Sequence, residues 1–265
     1  MKITIIGAGN MGGALARGLA RGTKVAAENI WLSDPFYDNL AAVKNEFPTI
    51  NITTDNCEAV AAADVIILAV KPFMVQRVVE EIKNCIDYSS QTVASIVGGL
   101  GSELLDAWLK KEDTPLPPVY LIIPNTAIAT LSSMTFISSL RSTKAMDTAM
   151  LDIFNELGEA MLVEERLMPA GTALASCGIA YAMRYLRAAM VGGIELGFRA
   201  DEAKRIVMQT MRGAVDVLSA SNAHPEAEID KVTTPGGLTI KGLNAMEAEG
   251  FTNSVIEGLR ASIKK

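Results

Sequence analysis

An α/β fold is predicted for this chain, with a doubly wound parallel sheet over residues 1–163 and an all-α domain over residues 164–265. Three observations predict it. A β-branched run, Ile3-Thr4-Ile5-Ile6, passes through Gly7-Ala8-Gly9-Asn10-Met11-Gly12-Gly13 into a helical Ala/Leu/Arg pattern. Strand and helix patterns then alternate to about residue 125, and from about Glu164 the pattern is helix after helix.

The first element is the strand over Ile3–Ile6, and the helix behind it spans Asn10 to Arg21 and is closed by Gly22. The order strand, tight turn, helix is what a dinucleotide site of the Rossmann type requires. Gly7 allows the sharp turn, Gly9 lets backbone approach a pyrophosphate, and Gly12 lets the helix pack close to the strand. The unpaired N–H groups opening that helix then face the anion. A second strand, Asn29 to Ser33, ends at Asp34-Pro35. Asp34 lies where an acidic side chain can accept from an adenosine ribose, which favours NAD over NADP. It equally suits a cap for the next helix, with Pro35 in its first turn.

A third strand near Ile50 to Thr53 leads through a short helix, Asn56 to Ala63, to a fourth strand, Asp64 to Val70. That nearly continuous apolar run is the pattern of a parallel strand covered on both faces. It stops at Lys71-Pro72, and ligands of such sheets sit beyond the carboxyl ends of the strands. Ala69, Val70 and Lys71 are therefore expected to line a cofactor cleft, the alternative being a strand-end lysine in water. Strands at Thr92 to Ile96 and Val119 to Ile123 run into Val97-Gly98-Gly99 and Pro124-Asn125-Thr126. Two more, Met134 to Ser138 and Ala160 to Val163, flank a helix from Thr143 to Gly158 and extend the sheet.

In the helical part, Ser176 to Gly197 carries Ile179, Met183, Leu186, Met190 and Ile194 on one stripe and Tyr181, Tyr185, Ala188, Ala189 and Gly192 on another. A helix apolar on two sides must be buried on two sides, and this part has too little material of its own to do so. The all-α part is thus read as a dimerisation domain, giving a homodimer or higher homo-oligomer. The methionines at 183, 190, 208 and 211 are core or interface filling.

Composition narrows the function classes. With 265 residues and 49% hydrophobic content the chain can bury a sizeable core. A net charge of −6 and a pI near 5.0 leave no basic field, so no nucleic acid partner is expected. Cys57, Cys85 and Cys177 are odd in number and widely spaced, which argues against a disulfide framework and a zinc site and for a reducing compartment. One histidine, His224, excludes His-dependent triads and multi-His metal sites, and no metal is expected. Before Pro225 it reads as a turn and helix cap. The apolar stretch before the glycines is too brief for a signal-peptide core, and the uncharged segment Leu167 to Met183 is broken by Pro169, Gly171 and Gly178. A cytoplasmic protein with no membrane association is expected.

The stretch Asp230 to Leu243 contains Pro235-Gly236-Gly237 ahead of a helix from Thr239-Ile240 to Glu249. Its exposed amides suit a small carboxylate, or form only a capping turn. Here the segment Val232-Thr233-Thr234-Pro235-Gly236-Gly237-Leu238-Thr239-Ile240-Lys241-Gly242-Leu243 resembles the C-terminal signature of the pyrroline-5-carboxylate reductases, Val-Thr-Ser-Pro-Gly-Gly-x-Thr-Ile-x-Gly-Leu, with Thr234 in place of Ser. Ile6-Gly7-Ala8-Gly9-Asn10-Met11, Ala69-Val70-Lys71-Pro72 and Pro124-Asn125-Thr126 are similar to three further motifs of that family, in family order.

The resemblance implies reduction of 1-pyrroline-5-carboxylate to L-proline with NADPH or NADH, the final step of proline biosynthesis. It implies that Gly7, Gly9, Asn10 and Met11 hold the pyrophosphate, that Asn56 meets the adenosine end, and that Ala69 to Pro72 run beside the nucleotide. It assigns Gly236, Gly237, Leu238 and Thr239 to the substrate, with Thr239 as the catalytic hydroxyl near the ring nitrogen. Two departures stand out. Where the family has Ser-Gly-Ser-Gly-Pro-Ala-Tyr, this chain has Ala175-Ser176-Cys177-Gly178-Ile179-Ala180-Tyr181, and Pro169 replaces an acidic residue. A β-hydroxyacid dehydrogenase would resemble its relatives in a lysine one turn after Gly178, where this chain has Ala182. A non-catalytic nucleotide sensor would leave the Pro235–Thr239 nest without a purpose.

Overall fold

Short β-branched runs buried on both sides build the core of the computed structural model, which describes residues 1–263. The chain forms two compact units, residues 1–176 and residues 177 onward. The first holds β1 (Ile3–Ile6), α1 (Asn10–Arg21), β2 (Ile30–Ser33), α2 (Tyr37–Glu46), β3 (Asn51–Thr53), α3 (Asn56–Ala61), β4 (Val65–Leu68), α4 (Val75–Ile82), β5 (Thr92–Ser95) and α5 (Ser102–Leu109). It continues with β6 (Val119–Ile123), β7 (Ser133–Leu140), α6 (Lys144–Asn155), β8 (Gly158–Leu162) and the short α7 (Met168–Gly171). A π-helical segment, Thr172–Cys177, follows.

The strands form one sheet in the order β3-β2-β1-β4-β5-β6-β7-β8. The first six pair in parallel, in the 3-2-1-4-5-6 order of the doubly wound fold. Alternate residues of one strand feed two cores. Ile3, Ile5, Val65 and Ile67 pack with Leu15, Leu19, Leu40 and Phe154 on one face, while Ile6, Ile66 and Leu68 pack with Val75, Val79 and Leu105 on the other. Because helices cover both faces, β1 and β4 are buried at every position, which is why they read as unbroken apolar runs.

β7 turns back antiparallel to β6, Ile122 facing Ile137, and β8 then runs parallel to β7. The connection at 124–132 forms only a short 3-10 turn, Thr126–Thr130, closed by Leu131 in the left-handed region at φ 56°. A parallel return needs a crossover of about a dozen residues or more, so this connection permits only the antiparallel one.

The cysteine reading requires a correction. Cys57 and Cys85 form a disulfide, with Cα atoms 5.6 Å apart, and Cys177 is free. Counting and spacing argued against a disulfide framework, but Cys57 lies in the first turn of α3 and Cys85 follows α4, and α3 and α4 lie side by side. Packing brings within bonding reach two residues that are 28 positions apart in the chain. The inference of a reducing compartment from the cysteines therefore falls.

The second unit holds α8 (Gly178–Glu195), α9 (Ala200–Ser221), α10 (Pro225–Lys231), α11 (Leu238–Ala248) and α12 (Phe251–Ala261). α8 and α9 approach closely at Gly193, where an added Cβ would lie 3.2 Å from Ala203 Cβ. Tyr185 meets Phe251 edge-on at 6.3 Å, and the Tyr181 hydroxyl shares a short hydrogen bond with Ser262. Among its described residues only Ala203 is buried, while Met183, Val191, Leu196, Ile206, Val215 and Val217 are exposed. So open an apolar surface marks a binding face. His224 caps α10, its Nδ1 accepting from the Glu226 amide at 3.2 Å, as its place before Pro225 predicts. No helix among the described residues is long and apolar enough to cross a membrane.

Candidate active site

The glycine turn sits where the strand order reverses, between β1 and its neighbours β2 and β4. Gly7 adopts φ +104°, and a Cβ there would lie 2.8 Å from the Ala69 carbonyl oxygen. Its N–H donates to Ser33 O at 2.7 Å, tying the turn to the end of β2. Gly12 is tighter still. Its Cβ would lie 1.9 Å from Gly7 O and 3.0 Å from Ala69 Cβ, so the helix start is pressed onto the turn and onto β4. Gly9 differs from both, since an added Cβ there would meet nothing within 4 Å.

Gly9 is also the N-cap of α1, and no side chain among the described residues caps that helix. The amides of its first turn are left for an outside acceptor, next to open space that only a glycine leaves clear. Gly9 and Asn10 are exposed and Met11 is half-buried, whereas Ile6, Gly7 and Ala8 are buried. Ala69 and Val70 are half-buried beyond the end of β4, and Lys71 and Pro72 are exposed in the following turn. These residues form one edge of the sheet unit, at the carboxyl ends of β1 and β4.

Asp34 is only 6% exposed. Its Oδ2 accepts from the Ala8 amide at 2.7 Å, and its Oδ1 accepts from the Phe36 amide at 2.9 Å and from Asn39 Nδ2 at 3.1 Å. Asn56 bridges two elements: its Oδ1 accepts from Ser33 Oγ at 2.7 Å and its Nδ2 donates to Glu81 Oε1 at 3.0 Å. The Cys57–Cys85 bridge lies one residue further along, so two links hold the start of α3 to α4. Sequence reading named Asn56 but missed Ser33 and Glu81, and an Asn one turn from a strand end carries no signal of which hydroxyl or carboxylate it will meet. It missed as well the link from Ser102, whose amide and hydroxyl both donate to the Glu165 carboxylate, at 2.8 and 2.6 Å.

In the helical unit, Thr234-Pro235-Gly236-Gly237 forms a tight turn. Gly237 N–H donates to Thr234 O at 2.9 Å, and Gly236, behind a proline, has φ +72°, the pattern of a type II turn. Gly237 is the N-cap of α11, and again no side chain among the described residues caps it. The amides of Leu238 and Thr239 open the helix, both residues are exposed, and Gly237 is half-buried. Amides converging at a helix start favour an anion.

Comparison with known proteins agrees with this arrangement. A family model for pyrroline-5-carboxylate reductase dimerisation matches residues 165–265, and one for NADP oxidoreductase, coenzyme F420-dependent, matches residues 2–97. Pyrroline-5-carboxylate reductase 2 of Dictyostelium discoideum is 34% identical over the whole chain, which covers 91% of that relative. The chain belongs to the pyrroline-5-carboxylate reductase family. Pyrroline-5-carboxylate reductase 1 of the same organism is 38% identical, but the chain spans only about half, 49%, of its length. A crystal structure of a Plasmodium falciparum pyrroline carboxylate reductase with NADP bound is 27% identical, with a TM-score of 0.89 over 99% of this chain and 95% of that one.

The segment 175–181, which departs from the family motif, crosses a change of helix type. It spans the end of the π-helical Thr172–Cys177 and the start of α8, where the family proline is Ile179. Pro169 stands in the first turn of α7, a position that suits proline because the amide there has no intrahelical partner.

Proposed function

We propose that this pyrroline-5-carboxylate reductase family member reduces 1-pyrroline-5-carboxylate to L-proline at the expense of NADPH or NADH, the last step of proline biosynthesis. The observation that carries the reading is the uncapped start of α11 behind the Pro235-Gly236-Gly237 turn, an anion cradle inside the segment that bears the family signature. The residues at the glycine turn fit a dinucleotide: Gly9 leaves a space that any Cβ would fill, beside unpaired amides. Gly7, Gly9, Asn10 and Met11 hold the pyrophosphate in this reading, with Ile6 and Ala8 part of the same cofactor-binding turn, Asn56 toward the adenosine and Ala69 to Pro72 along the nucleotide. When bound, the reduced nicotinamide supplies a hydride to the imine carbon of the substrate.

The chain's own residues then have three tasks. The amides of Gly237, Leu238 and Thr239 hold the substrate carboxylate, which fixes the ring at near-attack distance. The Thr239 hydroxyl hydrogen-bonds the ring nitrogen as it becomes an amine. A protonated imine already carries the electrophilic charge, so no strong acid from the protein is needed, and a chain with a single histidine placed as a helix cap suits such chemistry.

Residues 1–163 serve the cofactor and residues 164–265 serve assembly and substrate; the last strand ends at Leu162, and the dimerisation model begins at residue 165. The exposed apolar faces of α8 and α9 support a homodimer or higher homo-oligomer. A cytoplasmic setting is favoured by the need for a pool of reduced nicotinamide. The test is oxidation of NADPH and, separately, NADH by the purified protein with 1-pyrroline-5-carboxylate. Turnover with either supports the reaction, whereas nucleotide binding without turnover would favour a sensor.

A further inference from the structure

We infer that Asp34 is a positioning residue of the glycine turn and makes no contact with the adenosine ribose. The inference rests on the reading of that turn as the cofactor site. An ionised carboxylate has about four acceptor positions, and three are taken by the protein: the Ala8 amide on Oδ2, and the Phe36 amide and Asn39 Nδ2 on Oδ1. At 6% exposure the side chain offers a ligand little accessible surface. A ribose hydroxyl that displaced the Ala8 amide would strand that N–H in a buried environment, a cost that cancels the new bond.

Two of the three bonds have a clear structural effect. The bond from Phe36 N closes a turn just ahead of α2, whose N-cap is Phe36 and not Asp34 as the sequence suggested, so Pro35 lies outside the helix, and Phe36 and Tyr37 are left exposed beyond the end of β2. The bond from Ala8 N fixes the residue between Gly7 and Gly9, and Gly7 N–H is itself held by Ser33 O. Asp34 thus clamps the glycine turn to the β2–α2 connection, and the carboxylate acts on the pyrophosphate site through Ala8. Choice between NADH and NADPH is then not made by this side chain, although an acid at this position reads as a selector for NADH.

The experiment measures dissociation constants for NADPH and NADH by nucleotide fluorescence, with thermal melting as a check of folding, on the wild type, Asp34→Asn and Asn39→Leu. In Asp34→Asn the NH2 group faces either the Ala8 N–H or the Phe36 N–H and Asn39 Nδ2, whichever way the amide is turned, so the clamp is lost and both nucleotides bind more weakly, about tenfold, with their ratio held within about threefold. Asn39→Leu frees a position on Oδ1 without a change of charge, and the ratio again stays as in the wild type. Selective loss of NADH in Asp34→Asn, or selective gain of NADH in Asn39→Leu, would show a ribose contact and overturn the inference; so would wild-type affinity for both nucleotides in Asp34→Asn. If Asp34→Asn does not fold, Asn39→Leu decides. Normal binding without turnover of 1-pyrroline-5-carboxylate in the wild type would remove the proposed reaction and leave this inference standing.

Discussion

Two glycines of the same turn should fail in opposite ways when each is replaced by alanine. At Gly12 the new Cβ would stand 1.9 Å from a backbone oxygen, Gly7 O, more than 1 Å inside ordinary contact. A backbone atom cannot rotate aside, so helix and turn must separate. Overpacking of this kind costs about 1–3 kcal/mol or more, against which alanine returns about 1 kcal/mol of helix propensity. The Gly12→Ala protein should melt several degrees lower and bind nucleotide poorly. At Gly9 the added methyl meets nothing, and its backbone, φ −65° and ψ −167°, is open to alanine. The only stability cost is that alanine is a poorer N-cap, roughly 0.5 kcal/mol. Gly9→Ala should therefore melt within about 2 °C of the wild type yet lose NADPH affinity by about tenfold or more, because the methyl occupies the space beside the uncapped amides. Differential scanning calorimetry and nucleotide fluorescence on the two variants separate the effects. A Gly9→Ala protein that binds NADPH normally would refute the placement of the pyrophosphate.

Three further outcomes follow from the geometry. Reduction of the Cys57–Cys85 bridge, or Cys85→Ser, opens a loop of 28 residues and should cost about 3–4 kcal/mol by the loop-entropy relation, read as a lower melting midpoint under a dithiol reductant. Thr239→Val should slow turnover by roughly 5- to 150-fold, the value of one buried hydrogen bond of about 1–3 kcal/mol, with nucleotide affinity unchanged. Burial raises the Glu156 pKa, but hydrogen bonds from the Thr23 hydroxyl and the Thr23 and Lys24 amides, with the charge of Lys24, outweigh it and leave the carboxyl below its ordinary 4.5. A depressed carboxyl stabilises the fold above that value and loses its contribution as pH falls through the lowered one, so Glu156→Gln should destabilise by about 1 kcal/mol at neutral pH and match the wild type in strong acid by chemical denaturation.

What could be read from the chain was whatever the backbone imposes locally. The runs at Ile3–Ile6 and Val65–Leu68 announce doubly covered strands because both faces are buried, and Gly7 and Gly12 announce close approaches, which the structure places at Ala69 and at Gly7 O. What could not be read depends on partners distant in sequence. β7 reads as a strand from its residues, but its direction is fixed by the length of the connection at 124–132. The disulfide needs α3 beside α4, and nothing in the chain signals that Asp34 accepts from Ala8 N and Asn39 Nδ2 while Phe36, and not Asp34, becomes the N-cap of α2. Thr234-Pro235-Gly236-Gly237 was legible because a proline followed by glycine fixes its own turn.

α1 carries the glycine turn, yet its far end is held from well downstream. Gly18 packs on the Ile128 carbonyl, Arg21 donates to Ala129 O, and Thr23 and Lys24 are gripped by Glu156, up to 133 residues away. The nucleotide fingerprint thus leaves the ribosome well before the segments that secure it, since the far end of its helix is anchored only after the antiparallel turn and α6 have been made. Such long-range closure slows folding and leaves an early, unanchored Ala/Leu-rich helix open to other chains during synthesis. A fragment ending near residue 125 would contain every cofactor motif of the sheet unit and lack the contacts that hold them in place.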